Sequence, residues 1–170
     1  MRELARSRDV EIRDLRPDET LFLEEMLLAA LAWNPDVELP PREWVMAHPQ
    51  VAPFHSNWGN RPGDTALVAD EDGTALGLAW YRYFTETEHG EGFVDEQTPE
   101  VAIAVVEGHR GRGLGLALME AIHDRAREQG AARISLSVDP ENPAKRLYLR
   151  LGYVDLAPDD ENGRMILDLG

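Results

Sequence analysis

The sequence predicts a mixed α/β domain built on one sheet, and three observations carry that reading. A continuous apolar run at 101–106 is followed at once by the glycine-rich stretch 108–115 and then by a helical apolar pattern. Two strand-like runs, 65–69 and 74–85, flank the hairpin dipeptide Asp72-Gly73. Past the helix comes a further strand pattern, 134–138, then a second helix opening at Asn142-Pro143. Strands interleaved with helices in this order favour a single sheet with helices packed on it.

The elements follow in order. Residues 10–15 alternate as a short strand, and Asp18 is the expected N-cap of an apolar helix running to about Trp33. Pro35, Pro40 and Pro41 break that run, and Pro41 is placed to open a short helix over 43–47. Residues 49–63 read as loop, with a turn near Gly59 and Gly63. The 74–85 strand is rich in aromatics, with Trp80, Tyr81 and Tyr83 distributed over its two faces, while 86–99 has no periodicity and reads as loop. The run 101–106 predicts a strand buried on both faces. Leu114, Ala117, Leu118, Ala121 and Ile122 recur at helical spacing, with Gly130 as the stop. The second helix ends near Gly152, and 153–156 and 165–169 are closing strands. The tryptophans at 33, 44, 58 and 80 are expected in the core or as cleft walls.

Composition narrows the classes of function. With 170 residues the chain suits one domain. It has no cysteine, which removes disulfides, thiolate metal sites and a cysteine nucleophile, and fits a reducing cytoplasm. The first ten residues are too polar for a secretory leader, and no apolar run of about eighteen residues marks a membrane span. A net charge of −15 argues against a nucleic-acid partner. That charge is uneven: residues 101–150 carry eight Lys and Arg against six Asp and Glu, whereas the remainder carries nine against twenty-six. A bound polyanion at 101–150 would account for the contrast. The histidines at 48, 55, 89, 109 and 123 form no metal-ligand spacing, so no metal is expected, and Ser56, Ser135 and Ser137 have no nucleophile context.

The densest signal is Arg110-Gly111-Arg112-Gly113-Leu114-Gly115, between a strand and a helix. Glycines let backbone N–H groups approach a ligand, a helix N-terminus offers a positive dipole end, and arginines add permanent charge, so this is an anion cradle. It is not a nucleotide P-loop, since the only lysine is Lys145. A dinucleotide fingerprint fails as well, because Leu116 or Leu118 stands where the third glycine belongs.

With Arg110, Gly113 and Gly115 in that turn, and Asn142, Ala144, Leu147-Tyr148 and Gly152-Tyr153 following at matching spacing, the chain resembles the GNAT superfamily of N-acetyltransferases over about residues 98–156. The resemblance implies the GNAT fold, a single twisted mixed sheet of about six to seven strands flanked by helices. Residues 1–170 would then form one acyltransferase domain, with a cofactor-binding half at about 98–156 and an acceptor-shaping half at about 1–97. It implies acetyl-CoA as acyl donor and an amine as acceptor. Ile103, Ala104 and Val105 would offer backbone to the pantetheine arm. Arg110, Gly111, Arg112, Gly113, Leu114 and Gly115 would hold the pyrophosphate, and Asn142 would bond the arm. Tyr148 would face the thioester sulfur as proton donor to the departing thiolate. A homodimer is common in the family, although no segment here marks an interface.

Acyl transfer to an amine also needs a proton acceptor. Glu100 is the candidate: it shares parity with the small residues Ala102 and Ala104, which leave room beside it, and the strand 134–138 holds no acid or histidine. A water chain is the alternative. The loop before the strand holds Glu86, Glu88, Glu91, Asp95, Glu96 and Glu100 and no Lys or Arg, which would favour cationic acceptors. The acceptor stays open between a small-molecule amine, a protein N-terminus and a lysine side chain. Another short acyl-CoA, or a non-catalytic acyl-CoA sensor, would carry the same motifs.

Overall fold

A computed structural model describes residues 9–170. Most of the polar N-terminal segment read above against a leader, residues 1–8, lies outside the described residues. Seven strands form one sheet in the order β1-β2-β3-β4-β5-β7-β6. They are β1 (Val10–Asp14), β2 (Thr65–Glu71), β3 (Thr74–Arg82), β4 (Glu100–Val105), β5 (Arg133–Ser137), β6 (Val154–Asp155) and β7 (Arg164–Asp168). Neighbours are antiparallel except β4 and β5, which run parallel. The helices are α1 (Thr20–Leu31), α2 (Arg42–Ala47), α3 (Leu114–Glu128) and α4 (Lys145–Leu151). Among the described residues no helix is long and apolar enough to cross a membrane.

The period-two alternation of the central strands sorts the core into two layers. Leu67, Ala69, Ala79, Tyr81 and Val101 pack with Leu118, Met119 and Ile122 of α3. Val68, Leu78, Trp80 and Ala104 pack on the other face with Leu23, Met26 and Leu27 of α1. Trp80 therefore faces α1, whereas Tyr81 and Tyr83 face α3. The hairpin turns at Asp72 and Gly73, both in the left-handed region at φ 52° and 86°.

Several boundaries differ from the sequence expectation for local reasons. Asp18 is not the cap. Residues Pro17–Glu19 form a 3-10 turn, and the Glu19 carboxylate closes it by accepting the Arg16 N–H at 2.7 Å. Helix α1 stops at Leu31 rather than Trp33, since the chain must leave helical geometry before Pro35. Strand β3 ends at Arg82, opposite Glu100, because β4 offers no residue to pair beyond that point; Thr85 instead bridges to Glu88. Trp44 is neither core nor wall, being 74% exposed on α2. The Asn142 side chain does cap, accepting the Ala144 N–H at 3.0 Å, but the first turn is 3-10 and regular helix begins at Lys145. Finally, β4 is not buried on both faces throughout: Ala102, Ile103 and Val105 are half-buried. The cause is its loose pairing with β5, described below.

Arg82 organises the loop between α2 and β2. Its guanidinium is fully buried and makes a bidentate pair with Asp64, at 2.8 Å to each oxygen. It also donates to the carbonyls of Pro53, Ser56 and Asn57 and lies 4.9 Å from the Trp58 ring centroid. Removing one partner of a buried pair leaves an uncompensated charge, a cost of roughly 3–5 kcal/mol. Arg82→Ala should lower the urea unfolding free energy by that amount, and a loss below about 1 kcal/mol, the range of an exposed pair, would contradict this role.

Candidate functional site

The turn leading into α3 is built as an open cradle. Gly111 and Gly113 hold φ at 77° and 80°, a region L side chains rarely adopt, and a Cβ at either would meet nothing within 4 Å. Gly113 is the N-cap of α3 and provides no side-chain cap. The first N–H groups of the helix therefore keep their capacity to bind an anion. Gly115 differs: a Cβ there would touch Leu147 and Ile103 at ordinary distances of 3.4 and 3.8 Å. The two arginines diverge. Arg110 is exposed and makes no hydrogen bond or ion pair among the described residues, so its charge is available. Arg112 is tied to the Glu71 carboxylate and to His109 Nδ1, which commits its guanidinium to the end of β2.

Beside the cradle the sheet opens. The register of β4 with β5 is a single pair, Glu100 opposite Ser135, with the Ser135 N–H donating to the Pro99 carbonyl at 3.0 Å. Past that point β4 keeps its antiparallel partner β3 on one side only. The Val106 N–H points to the Leu76 carbonyl. By strand alternation Ala104 and Ala102 also direct their backbone groups to β3, while Ile103 and Val105 direct theirs into the opening. Of the three residues expected to offer backbone to a ligand, Ile103 and Val105 are placed to do so and Ala104 is not. The opening and the glycine cradle are contiguous, and together they suit an extended polar arm ending in a phosphate group.

Tyr148 stands on α4, buried at 8% exposure, with its ring edge-on to Tyr153 at 5.9 Å between centroids. Burial pushes its phenol up to about 12, so it holds its proton across the physiological range. Beneath it Tyr153 and His123 share a 2.7 Å hydrogen bond, and burial pushes the imidazole down to about 4. In the sequence His123 stands only among the histidines without metal-ligand spacing, and its one signal for this role is its place on the inward stripe of α3 at i+4 from Met119.

Glu100 points to the α1 face, with Ala102 and Ala104, as parity requires. It does not line an open cleft. It is 3% exposed, covered by the strap His89-Gly90-Glu91-Gly92-Phe93. The Gly92 N–H donates to Glu100 Oε2 at 3.0 Å. A Cβ at Gly90 would stand 2.6 Å from that oxygen, and one at Gly92 would stand 2.7 Å from the Leu136 backbone, so two glycines are what let the strap lie so close. His89 stacks on Phe93 at 4.4 Å and fixes its turn. Burial raises the Glu100 carboxyl to about 8, against which the Gly92 and Gly90 backbone contacts act, and Glu91 pushes the same way as burial. Its second oxygen, Oε1, has no hydrogen-bond partner.

Charges around the site are largely compensated locally. Glu88 pairs with Arg61 and Asp95 with Arg133, which leaves Glu86, Glu91 and Glu96 of the loop to act on an approaching ligand. In the basic stretch Arg112, Arg125, Arg127, Arg133 and Lys145 all have carboxylate partners. A separate depression lined by Arg61, Tyr83, Glu88 and Gln129 lies past the C-terminal end of α3, some 20 Å from the cradle by helix length. Glu88 and Glu96 of the acidic loop line it, whereas Glu100, Tyr148, Asn142 and the cradle residues do not.

The profile of the Acetyltransferase (GNAT) family matches residues 27–153. A mycothiol acetyltransferase of Corynebacterium aurimucosum is 28% identical over 171 residues, which cover 85% of this chain and 54% of that protein. The L-amino acid N-acyltransferase MnaT of Escherichia coli is 27% identical over 135 residues, 79% of this chain and 70% of its own length. The chain thus spans about half the length of the first of these relatives. The structure of yncA, a putative acetyltransferase from Salmonella typhimurium with its cofactor acetyl-CoA, superposes with a TM-score of 0.67 at 22% identity and covers 95% of each chain. That likeness is one of fold.

The Glu100 environment makes a stability prediction that needs no ligand. A carboxyl at about 8 in the folded state, against its ordinary 4.5, binds more protons folded than unfolded between those values. Stability therefore falls as pH rises through that window. His123, held near 4, contributes stability lost as pH falls from 6.5 toward 4, and it is the same in both proteins compared. Glu100→Gln should gain on wild type as pH rises from 5 to 8, by at most about 1.4 kcal/mol per pH unit, in denaturant unfolding at each pH. Parallel curves would show that Glu100 ionises freely.

Proposed function

The chain belongs to the GNAT acetyltransferase family, and on that footing we propose that it transfers an acetyl group from acetyl-CoA to a primary amine of a small molecule. The observation that carries the reading is the contiguity of the open β4 edge with the cradle at the α3 N-terminus. We take the domain as residues 1–170, since one sheet runs through both halves of the described chain. In this reading the N–H groups at the start of α3, Gly111, Gly113 and Arg110 hold the pyrophosphate. Ile103 and Val105 bond the pantetheine arm, with Asn142 closing it from the turn that precedes α4. The Asn142 oxygen is engaged by the Ala144 N–H, so its amide N–H2 is the group that serves.

Acetyl-CoA, when bound, supplies an acetyl group activated as a thioester. Tyr148 keeps a proton on its hydroxyl at working pH and is the donor to the leaving sulfur. Glu100 accepts the proton released by the amine. Its raised value means the competent, ionised form grows in toward pH 8, and its burial means the proton reaches it through a relay rather than by direct contact. With no cysteine in the chain, direct attack in a ternary complex is the simplest course. The named relatives, a mycothiol acetyltransferase and an L-amino acid N-acyltransferase, support a small-molecule acceptor. A preference for cationic amines would rest on Glu86, Glu91 and Glu96. An amine panel that includes a basic peptide separates this reading from a protein N-terminal or lysine acetyltransferase, and absence of turnover with tight acetyl-CoA binding would identify a sensor.

Gly113→Val places a β-branched residue at a left-handed position, in space the fold leaves open. It should abolish acetyl-CoA binding in titration calorimetry while circular dichroism stays unchanged, and retained binding would remove the cradle from the account. Tyr148→Phe keeps the ring packing and loses only the donor. It should lower kcat on the order of ten- to a thousandfold with acetyl-CoA affinity preserved, and an unchanged kcat would mean the thiolate departs unaided.

A further inference from the structure

Ser135 is a buried hydroxyl without a hydrogen-bond partner, and it stands in register with the buried carboxyl whose Oε1 also lacks one. Both residues are at the one point where β4 and β5 pair, on the same face of the sheet. Buried polar atoms in folded proteins are nearly always satisfied, and among the described residues three side-chain atoms are not: these two, which stand opposite one another, and the Trp80 indole nitrogen on the same sheet face. Neighbouring strands lie about 4.8 Å apart. With Oε2 held by the Gly92 N–H, rotation of Ser135 about its single side-chain torsion is the movement that turns the hydroxyl toward Oε1.

We propose that Ser135 is the positioning residue for Glu100, its hydroxyl donating to Oε1 when the carboxyl ionises. The inference rests on the reading of Glu100 as proton acceptor for its catalytic meaning. As the structure stands, Oε2 accepts the Gly92 N–H and Oε1 makes no hydrogen bond. When the carboxyl gives up its proton, the Gly92 and Gly90 backbone contacts stay on the strap side and Oε1 needs a donor. Ser135 stands directly opposite on β5, whereas the other buried donor without a partner on this face, the Trp80 indole N–H, is opposite Ala102, one pair further along β3. The charged groups around it do not substitute. Arg82, its partner on β3, is fully engaged by Asp64 and three carbonyls. Arg133 on β5 is held by Asp95, and Arg164 on β7 by Asp160 and the Phe93 carbonyl. His89 of the strap bonds the Gly90 carbonyl, and His55 bonds the Met46 carbonyl beside Glu24. Glu91 opposes ionisation. Ser135 thus sets how readily the base forms.

The test is a double-mutant cycle of Ser135→Ala and Glu100→Gln, read as unfolding free energy from pH 5 to 9.5 and as the Glu100 carboxyl titration by carbon-13 NMR. Ser135→Ala should be neutral or stabilising at pH 5, where the hydroxyl has no partner to lose. It should raise the Glu100 midpoint by about one pH unit, the loss of a donor to the charged form. The stability difference between Ser135→Ala and wild type should then turn unfavourable as pH rises. In the Glu100→Gln background the substitution should lose its pH dependence. An unmoved midpoint, or a Ser135→Ala effect that is the same with and without Glu100, would overturn the coupling. In turnover with a primary amine, Ser135→Ala should shift the rise of rate to higher pH and keep the high-pH plateau within about twofold. If the midpoint moves in NMR but the rate profile does not, the coupling stands and the base assignment fails.

Discussion

The parallel contact between β4 and β5 is the constraint on which the rest of this structure turns. Parallel strands cannot be joined by a tight turn, so α3 must carry the chain across the sheet from one to the other. Their register is a single pair, Glu100 with Ser135, and from that apex they separate. The separation leaves one edge of β4 unpaired, half-exposes Ile103 and Val105, and puts the start of α3 at the mouth of the opening. The same apex buries Glu100 and Ser135, because the strap 89–93 closes the α1 face just there. Binding surface and buried acid are two consequences of one departure from regular pairing.

Electrostatics at the site is decided by individual pairings rather than by regional charge. The mild excess of Lys and Arg over 101–150 suggested a bound polyanion, yet most of those cations have carboxylates at hand. Arg112, one of two arginines in the cradle, turns to Glu71. What remains for a phosphate is Arg110 with the backbone of the turn and helix, a recognition set made chiefly of oriented N–H groups. The acidic loop is likewise trimmed by Arg61 and Arg133, and both arginines come from elements distant in sequence.

The parts of this molecule that follow from local rules were legible in the chain itself. The hairpin at Asp72-Gly73, the stop at Gly130, the helix register of α3 and the glycine cradle each depend on residues within a few positions of one another. The order of strands and the two spaced motifs carried the fold class, and the family profile over 27–153 agrees. What was not legible depends on partners far along the chain. The apolar run 101–106 reads as doubly buried, and only the divergence of β5 shows why it is not. Glu100 was expected beside the small residues of its face, but the strap that covers it has as its only signature two glycines spaced to approach a backbone. Arg82, His123 and Ser135 look ordinary in sequence, and their importance comes from Asp64, Tyr153 and Glu100, each brought in by tertiary packing.

The most direct measurement of the central claim is amide hydrogen exchange with and without saturating acetyl-CoA. Exchange should slow at Ile103 and Val105 on the open β4 edge and over Leu114, Gly115 and Leu116 at the start of α3, while Ala104, whose N–H already serves β3, changes little. Protection confined to the depression around Tyr83 and Gln129, or absent from both the β4 edge and the cradle, would contradict the account.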